Sequence, residues 1–566
     1  KELEERKTSV HQDKEVDEVK WVHDASVDYR GRVPLRSSTG VWKAALFIIS
    51  KYSSFYEAGV TTIMPLIGGF LADAYTGRFT MVLLSSIIYF MGLSLLTMSQ
   101  FIPGLEPCNI KNCQKPRKVH EVVFFLAIYC VSLGTGGHKP CLQSFGADQF
   151  DDDHPEERKK KMSYFNLWNF ALSCGLFLGV TVIVYIQDNV GWGAGSLILS
   201  IVMLLTIATF FMGRPYYRFR LPEGSPIIPM LQVLVAATRK RKLPHPPSPI
   251  LLYEVPLSLK SRSRLLGHTD RLRFLDKAAI LEPEEEKSAE VRNNPWKVKT
   301  MTEVEELKLV LSVIPIWFTS FPFGVCVAQT STFFVKQGAT MNRKITEKFY
   351  LPPASIYALQ AVGMIISVII YEKILVPILR KATGNERGIN ILKRIGIGMI
   401  FSVLSMSTAA LVEKKRLSIA REEIGMVQGG KNVALTMSVF WLVPQFLILG
   451  LGDGFTLVGL QEYFYDQVPD SMRSLGLALY LSVIGVGSFL SSFLINTVDY
   501  VTDKGGKSWI GKDLNSSRLD KFFWLLAVIN LLNLFVFVLL AKRYTYKKVQ
   551  GREVVTDSHE TDEILE

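Results

Sequence analysis

The chain has 566 residues and a formal net charge of +12, and is 48% hydrophobic but only 20% charged. A charged share below the ~25% of soluble domains, with positive mean hydropathy over this length, excludes an ordinary water-soluble enzyme. The 34 Phe and 9 Trp exclude disorder, collagen and coiled coil, and six Cys are too few for a disulfide scaffold. The positive charge would suit nucleic acid, but the long apolar runs do not, so no nucleic-acid partner is expected.

Residues 1–40 are charged and polar, without the apolar core of a secretory signal. The first apolar stretch, VWKAALFII (41–49), is too short to span a bilayer, and the polar SKYSSFYEAG (50–59) follows it. Beyond it, windows of about 20 apolar residues predict helices at 60–75, 80–101, 121–142, 163–188, 193–213, 305–336, 353–379, 391–412, 434–460, 473–497 and 521–541. A soluble helix as apolar as SLILSIVMLLTIATFFMG (196–213) would show a polar stripe, and this one does not. The expectation is an all-α, multi-pass membrane protein embedded in a lipid bilayer.

A polar segment, 214–304, separates five of these spans from six. It carries RKRK (239–242), LPHPPSP (243–249), scattered Lys and Arg, and an acidic run from Glu282 to Glu286. Its basic residues, and those of AKRYTYKK (541–548) after the last span, place both on the cytosolic side. The segment reads as a solvated linker, or as a lateral helix held by anionic lipid. The expected organisation is a polar head (1–40), an N-terminal bundle (41–213), a cytosolic linker (214–304), a C-terminal bundle (305–541) and a cytosolic tail (542–566). The Gly- and Arg-bearing turns YTGRFT (75–80) and RKATGNERG (380–388) hint at an internal repeat, with a solute site between the halves.

Several polar residues stand out against the apolar background. Lys139 sits inside a span after Gly136 and Gly137 and before Pro140, which are expected to let the helix unwind or bend. A charge at bilayer depth costs at least ~2.5–3.5 kcal/mol unless paired or wet, so Lys139 is expected to face a cavity, with snorkelling the alternative. His138, beside it, reads as a packing residue. Asp453, between glycines in ILGLGDGFTLVGLQEYF (448–464), faces the same cost and could take a proton, bind a cation or cap a broken helix; Glu462 reads as structural. Gln329 could donate to an anion or accept from a peptide. Tyr164, Asn166 and Asn169 are candidates for the cavity lining. Asp73 could accept from backbone amides at a neighbouring helix start while Arg78 pairs with an acid, forming a gate latch or a plain structural pair. Trp317, Phe323, Trp441 and Tyr465 read as lipid- or core-facing. No metal-ligand spacing, phosphate loop, catalytic triad or kinase pattern occurs, so neither an enzyme nor a cofactor is expected.

The segment GGFLADAYTGR (68–78) resembles the Gly-x-x-x-Asp-x-x-Gly-Arg signature of the major facilitator superfamily. LGTGGHKPCLQSFGADQFD (133–151), MSYFNLWNF (162–170) and QTSTFFVKQGATMNR (329–343) closely resemble the proton-coupled oligopeptide transporter family, in detail its plant nitrate/peptide branch. The resemblance covers essentially residues 60–545. It implies a major facilitator fold of two six-helix bundles, here with a truncated first span and about 11 full spans. It also implies alternating access and proton symport of a small solute such as nitrate or a di- or tripeptide, in the plasma or vacuolar membrane. Lys139 and Asp453 are then candidates for proton coupling. Lys139, Gln329, Asp453, Asn166 and Tyr164 are candidates for solute binding, and Asp73 and Arg78 for the gate. Cys108 and Cys113 fall in a non-cytosolic loop, where a disulfide is possible.

The chain departs from that pattern in two places. The family's Glu-x-x-Glu-Arg motif, whose acids pair with the matching lysine, is absent, and Glu57 does not recreate it. Val327 stands where a plant nitrate carrier has a histidine, and valine cannot donate a proton. The first departure raises an alternative, a transport-deficient membrane sensor or interaction protein.

Overall fold

A computed structural model describes residues 22, 26–36, 39, 64–102, 105, 118–152, 154–222, 224–245, 248, 252–254, 265–282, 294–347, 349–384, 388–426, 435–504, 508–511, 514–515 and 517–547. The shortened first span at 41–59, Glu57, Cys108, Cys113 and most of the head lie outside these residues.

The described chain is helical, with only isolated β-bridges. In order, the helices are α1 (Met64–Leu71), α2 (Arg78–Phe101), α3 (Lys118–Ala147), α4 (Pro155–Asn189), α5 (Trp192–Met212), α6 (Ile227–Arg239), α7 (Met301–Thr340), α8 (Pro353–Thr383), α9 (Ile391–Met426), α10 (Val439–Asp466), α11 (Asp470–Lys504) and α12 (Leu519–Lys542). Ten of them, α2 to α5 and α7 to α12, are long and apolar enough to cross a membrane. The expected span at 60–75 appears as α1 followed by one π-helical turn, Ala72–Thr76.

The helices overrun the apolar windows because backbone hydrogen bonding continues into water wherever the sequence provides no stop. Thus α4 starts at Pro155, whose missing N–H costs nothing in a first turn. In turn α8 stops at Gly384, with φ +68°. The unwinding expected at Gly136, Gly137 and Pro140 does not occur: α3 is helical without a break from Lys118 to Ala147. The glycines serve contact instead. A Cβ on Gly136 would fall 2.4 Å from that of Met64, and one on Gly68 would fall 2.6 Å from the Gly136 carbonyl, so α1 and α3 cross backbone to backbone.

The residues fall into two compact units, 1–226 with 312–544, and 227–311 with 545–566. In the larger unit α2 packs on α3 and α5, while α9 packs on α10 and α12 and α8 on α10. These two groups meet where α4 lies on α8 and α10, and α11 on α1 and α3. The first group is pinned by rings of Phe79, Phe145, Phe210 and Tyr217, 5.1–6.2 Å apart. The second has a core of Phe334, Phe446, Phe522 and Phe523. Large apolar side chains such as Leu531, Leu532 and Phe535 point outward and are exposed, as a lipid-facing surface requires. The smaller unit has its own core, in which Val233, Ala236 and Ala237 of α6 meet Leu252, Leu275 and Ala278.

Candidate functional site

The polar contacts between the two helical groups are concentrated at one end, the end assigned to the cytosol by the basic residues. The π-turn and Gly77, whose φ of +76° suits a residue without a Cβ, bring Asp73 beside Arg78 at the start of α2. Arg78 Nε donates to Asp73 Oδ1 at 2.9 Å. The other carboxylate oxygen accepts from the backbone N–H groups of Ser474 (2.8 Å) and Leu475 (3.1 Å), in the α-helical turn that starts at Arg473 after the 3-10 opening of α11, Asp470–Met472. Four unsatisfied N–H groups and the positive end of the helix dipole make that turn an anion site. Asp73 therefore accepts from a neighbouring helix start across the two groups.

Arg78 also engages a second acid, Asp148, at the end of α3. Asp148 also accepts from the Tyr465 hydroxyl at 2.7 Å and from Arg473 at 3.3 Å, and Arg220 lies 3.4 Å away. Burial pushes its carboxyl upward, but Arg78, Arg220 and Arg473 outweigh that and hold it below the ordinary aspartate range. Arg473 reaches Asp152 as well, at 2.7 Å, and stacks on the Tyr465 ring. Lys161 of α4 pairs with Asp152 and, at 3.0 Å, with Asp466 of α10. The result is a dry ionic latch whose charges come from both groups.

A second layer lies one to two turns deeper. Asn166 of α4 donates to Glu372 of α8 at 2.7 Å and accepts from Arg394 of α9 at 2.8 Å. Arg394 also donates to the Gly454 carbonyl and lies 3.7 Å over the Tyr371 ring. Tyr371 and Glu372 open a π-turn, Tyr371–Leu375, an irregularity common at functional sites. One turn further, Asn169 donates to Gln461 of α10 at 2.5 Å.

Asp453 lies eight residues before Gln461 on α10, ~12 Å deeper along the helix axis. It is 2% exposed, and one oxygen accepts from Gln360 at 2.5 Å. Its other oxygen has no hydrogen-bond partner among the described residues. Lys139 is half-buried on α3, nine residues and ~13 Å before Asp148. Gln329 of α7 is fully buried and donates to Ser491 of α11 at 2.8 Å, with its carbonyl oxygen unpartnered among the described residues. Tyr164 sits among Phe150, Phe165 and Trp168, its hydroxyl over Gly146, within the packing of α3 and α4. The expected residues thus divide: Asp73, Arg78 and Asn166 join cross-group networks, while Asp453 and Gln329 are buried in α10 and α7.

Asp148, Asp152, Lys161, Glu372, Arg394, Asp466 and Arg473 were not singled out from the sequence. For most of them the available signal was weak, since they lie at span ends, where a charge is ordinary; Glu372 is the exception, an acid inside the apolar window 353–379 that could have been noticed. Tyr465 is core-facing as expected, with its hydroxyl in the latch. In the smaller unit the ligand atoms of His268, Asp276 and Glu305 lie within 4.8 Å of one another, but the Lys308 ammonium already bridges Asp276 at 2.6 Å and Glu305 at 2.7 Å.

A model of the POT family (PTR2) matches residues 79–510. The chain belongs to the POT family. Among its relatives are Protein NRT1/ PTR FAMILY 5.7 of Arabidopsis thaliana, 54% identical over 95% of this chain and 94% of that protein, and Protein NRT1/ PTR FAMILY 5.6, 54% identical over 96% and 97%. These alignments run over 572 and 573 positions, longer than the whole chain, so both relatives carry residues without a counterpart here. The fold matches that of an auto-inhibited POT family peptide transporter (TM-score 0.55, 19% identity, 89% of each chain) and of PepTSo (0.55, 18%, 89% of each). This POT protein is thus a multi-pass membrane transporter of the plant nitrate/peptide branch, with the major facilitator architecture.

Proposed function

We propose that the protein carries a small solute, nitrate or a di- or tripeptide-like molecule, by proton symport through alternating access. Asp453 takes the proton, and Lys139, Asp453 and Gln329 contact the solute. Asp73, Arg78 and the charges around Asp148 hold one gate shut, with Asn166 in the layer above and Tyr164 supporting α4. The observation that carries the reading is Asp453: a carboxylate in an apolar span, buried deeper than the ion pairs around Asp148, with one donor and, among the described residues, one oxygen without a hydrogen-bond partner. Such a group is stabilised by a proton or by a cationic part of a solute. It offers a proton site without the acids of the absent Glu-x-x-Glu-Arg motif.

The test is uptake of labelled nitrate and of a dipeptide into proteoliposomes with and without an inward proton gradient. Wild type is expected to accumulate one of them only with the gradient. Asp453→Asn is expected to retain binding and downhill exchange but to lose gradient-driven accumulation, and Lys139→Ala to weaken solute binding. Wild-type flux that ignores the gradient, or an unaltered Asp453→Asn protein, would remove Asp453 from the mechanism. Solute binding without any wild-type flux would favour a sensor.

A further inference from the structure

The described residues of the polar head fold back onto the first group of helices. Val27 and Phe219 exchange both backbone hydrogen bonds, at 2.8 and 2.7 Å. The Phe219 ring lies 5.3 Å from Phe79, one of the rings that pin this group. After Val27 the chain reverses. Asp28 Oδ1 accepts from the backbone N–H groups of Arg30 and Arg32, each at 2.8 Å, and Gly31 supplies a φ of +78°.

Beyond that turn, Arg36 reaches the segment between α3 and α4. Its guanidinium donates to Asp151 at 2.9 Å and to Glu157 at 2.8 Å. Glu157 also accepts from the Asp151 backbone N–H at 2.8 Å and from Arg218 at 2.7 Å, and Arg218 donates in turn to the Thr39 carbonyl at 3.1 Å. Asp151, Glu157 and Arg218 are buried, so two dry carboxylates meet two guanidinium groups, one of them from the head. The neighbours of Asp151 give this clamp its reach. Asp148 and Asp152, three positions before and one after, are the acids that Arg473 of α11 joins to the second group. Only 148–154 separate α3 from α4, so a grip on Asp151 sets where both carboxylates stand.

We propose, on the reading of the Asp148 cluster as a gate, that Arg36 is a positioning residue of that gate and the head its clasp. Docked, the head holds the α3–α4 turn where Asp148 and Asp152 engage Arg473. Released, it lets the turn move and this end part. The effect passes through the backbone of the turn.

The full-length protein in phosphatidylcholine nanodiscs, spin-labelled at Lys160→Cys and Lys381→Cys in a background lacking the native cysteines, provides the test. Arg473→Ala sets the distance of a parted gate. Arg36→Gln is expected to lengthen and broaden the distance toward that value, and to speed amide exchange over 148–154 about fivefold or more. Val27→Pro, which removes the N–H given to Phe219 and leaves Arg36 in place, is expected to do the same. Arg36→Lys keeps the charge and should restore the short distance. Arg30→Gln removes an exposed head charge outside the clamp and should leave that distance unchanged. A short distance in Arg36→Gln and Val27→Pro beside a parted Arg473→Ala would overturn the clasp and leave the gate standing. No parting in Arg473→Ala would remove the gate, and the clasp with it. A lower melting temperature in Arg36→Gln at an unchanged distance would assign Arg36 to stability alone and overturn the clasp equally.

Discussion

Asp148 shows how a single carboxylate ties two groups of helices together. Three guanidinium groups and a tyrosine hydroxyl surround it, and its affinity for a proton is depressed. Because the folded value lies below the unfolded one, its stabilising contribution is complete above the ordinary aspartate pKa of ~3.9 and fades as pH falls through the depressed value. Asp148 is therefore expected to be indifferent to pH between about 5 and 8, whereas burial pushes the Asp73 carboxyl of the same cluster upward. Asp148→Asn should lower the melting temperature at neutral pH, with a loss on the order of 3–5 kcal/mol for a broken buried pair, and the difference from wild type should shrink in strong acid. A thermal-shift series across pH measures both. Arg416→Leu is expected to cost a similar ~3–5 kcal/mol, because it strands the fully buried Glu413 that Arg416 grips at 2.7 Å. Residues of this kind were legible unevenly. Asp73 and Arg78 are five apart in one turn, and Lys139 and Asp453 interrupt apolar runs. Asp148 and Tyr465 are 317 positions apart, and neither carries a local sign of the other. Arg416 falls just past an apolar window, where a charge attracts no notice.

At the level of helices, hydropathy located ten crossing segments because hydrocarbon demands apolar side chains over a fixed length. It could not find where they end, since polar turns such as EYFYD (462–466) continue a helix at no cost outside the bilayer. It also could not show the close contact at Gly136 and Gly137, because flexible and close-packed glycines look alike in a sequence and only the partner helix distinguishes them. Gly136→Val is accordingly expected to separate α1 from α3, with a lower melting temperature and loss of the monodisperse peak on size exclusion. Gly179→Ala, at a position with nothing within 4 Å of an added Cβ, should leave both unchanged. Gly324 and Gly487 form a similar crossing between α7 and α11, where a Cβ on Gly487 would fall 2.4 Å from the Gly324 backbone. Neither was visible before the helices were placed.

For the larger unit as a whole, the latch ties α4 and the end of α3 to α10 and α11. Arg473→Ala removes contacts to Asp148, Asp152 and Asp470 at once. It is expected to populate a form parted at this end, seen as a longer and broader distance between spin labels at the exposed Lys160 of α4 and Lys381 of α8, while unaltered protein gives a single short distance. A reciprocal exchange, Asp148→Arg with Arg473→Asp, tests whether the ion pair itself maintains closure, because opposite signs are then restored in reversed positions. The dryness of these pairs has a further consequence. While shut they are sheltered from bulk ions, but once separated they meet a solution whose Debye length is ~8 Å at physiological ionic strength. Salt on that side should thus act as a throttle: it leaves the sealed carrier undisturbed and slows its resealing, so that net cycling falls with ionic strength while binding from the opposite side does not.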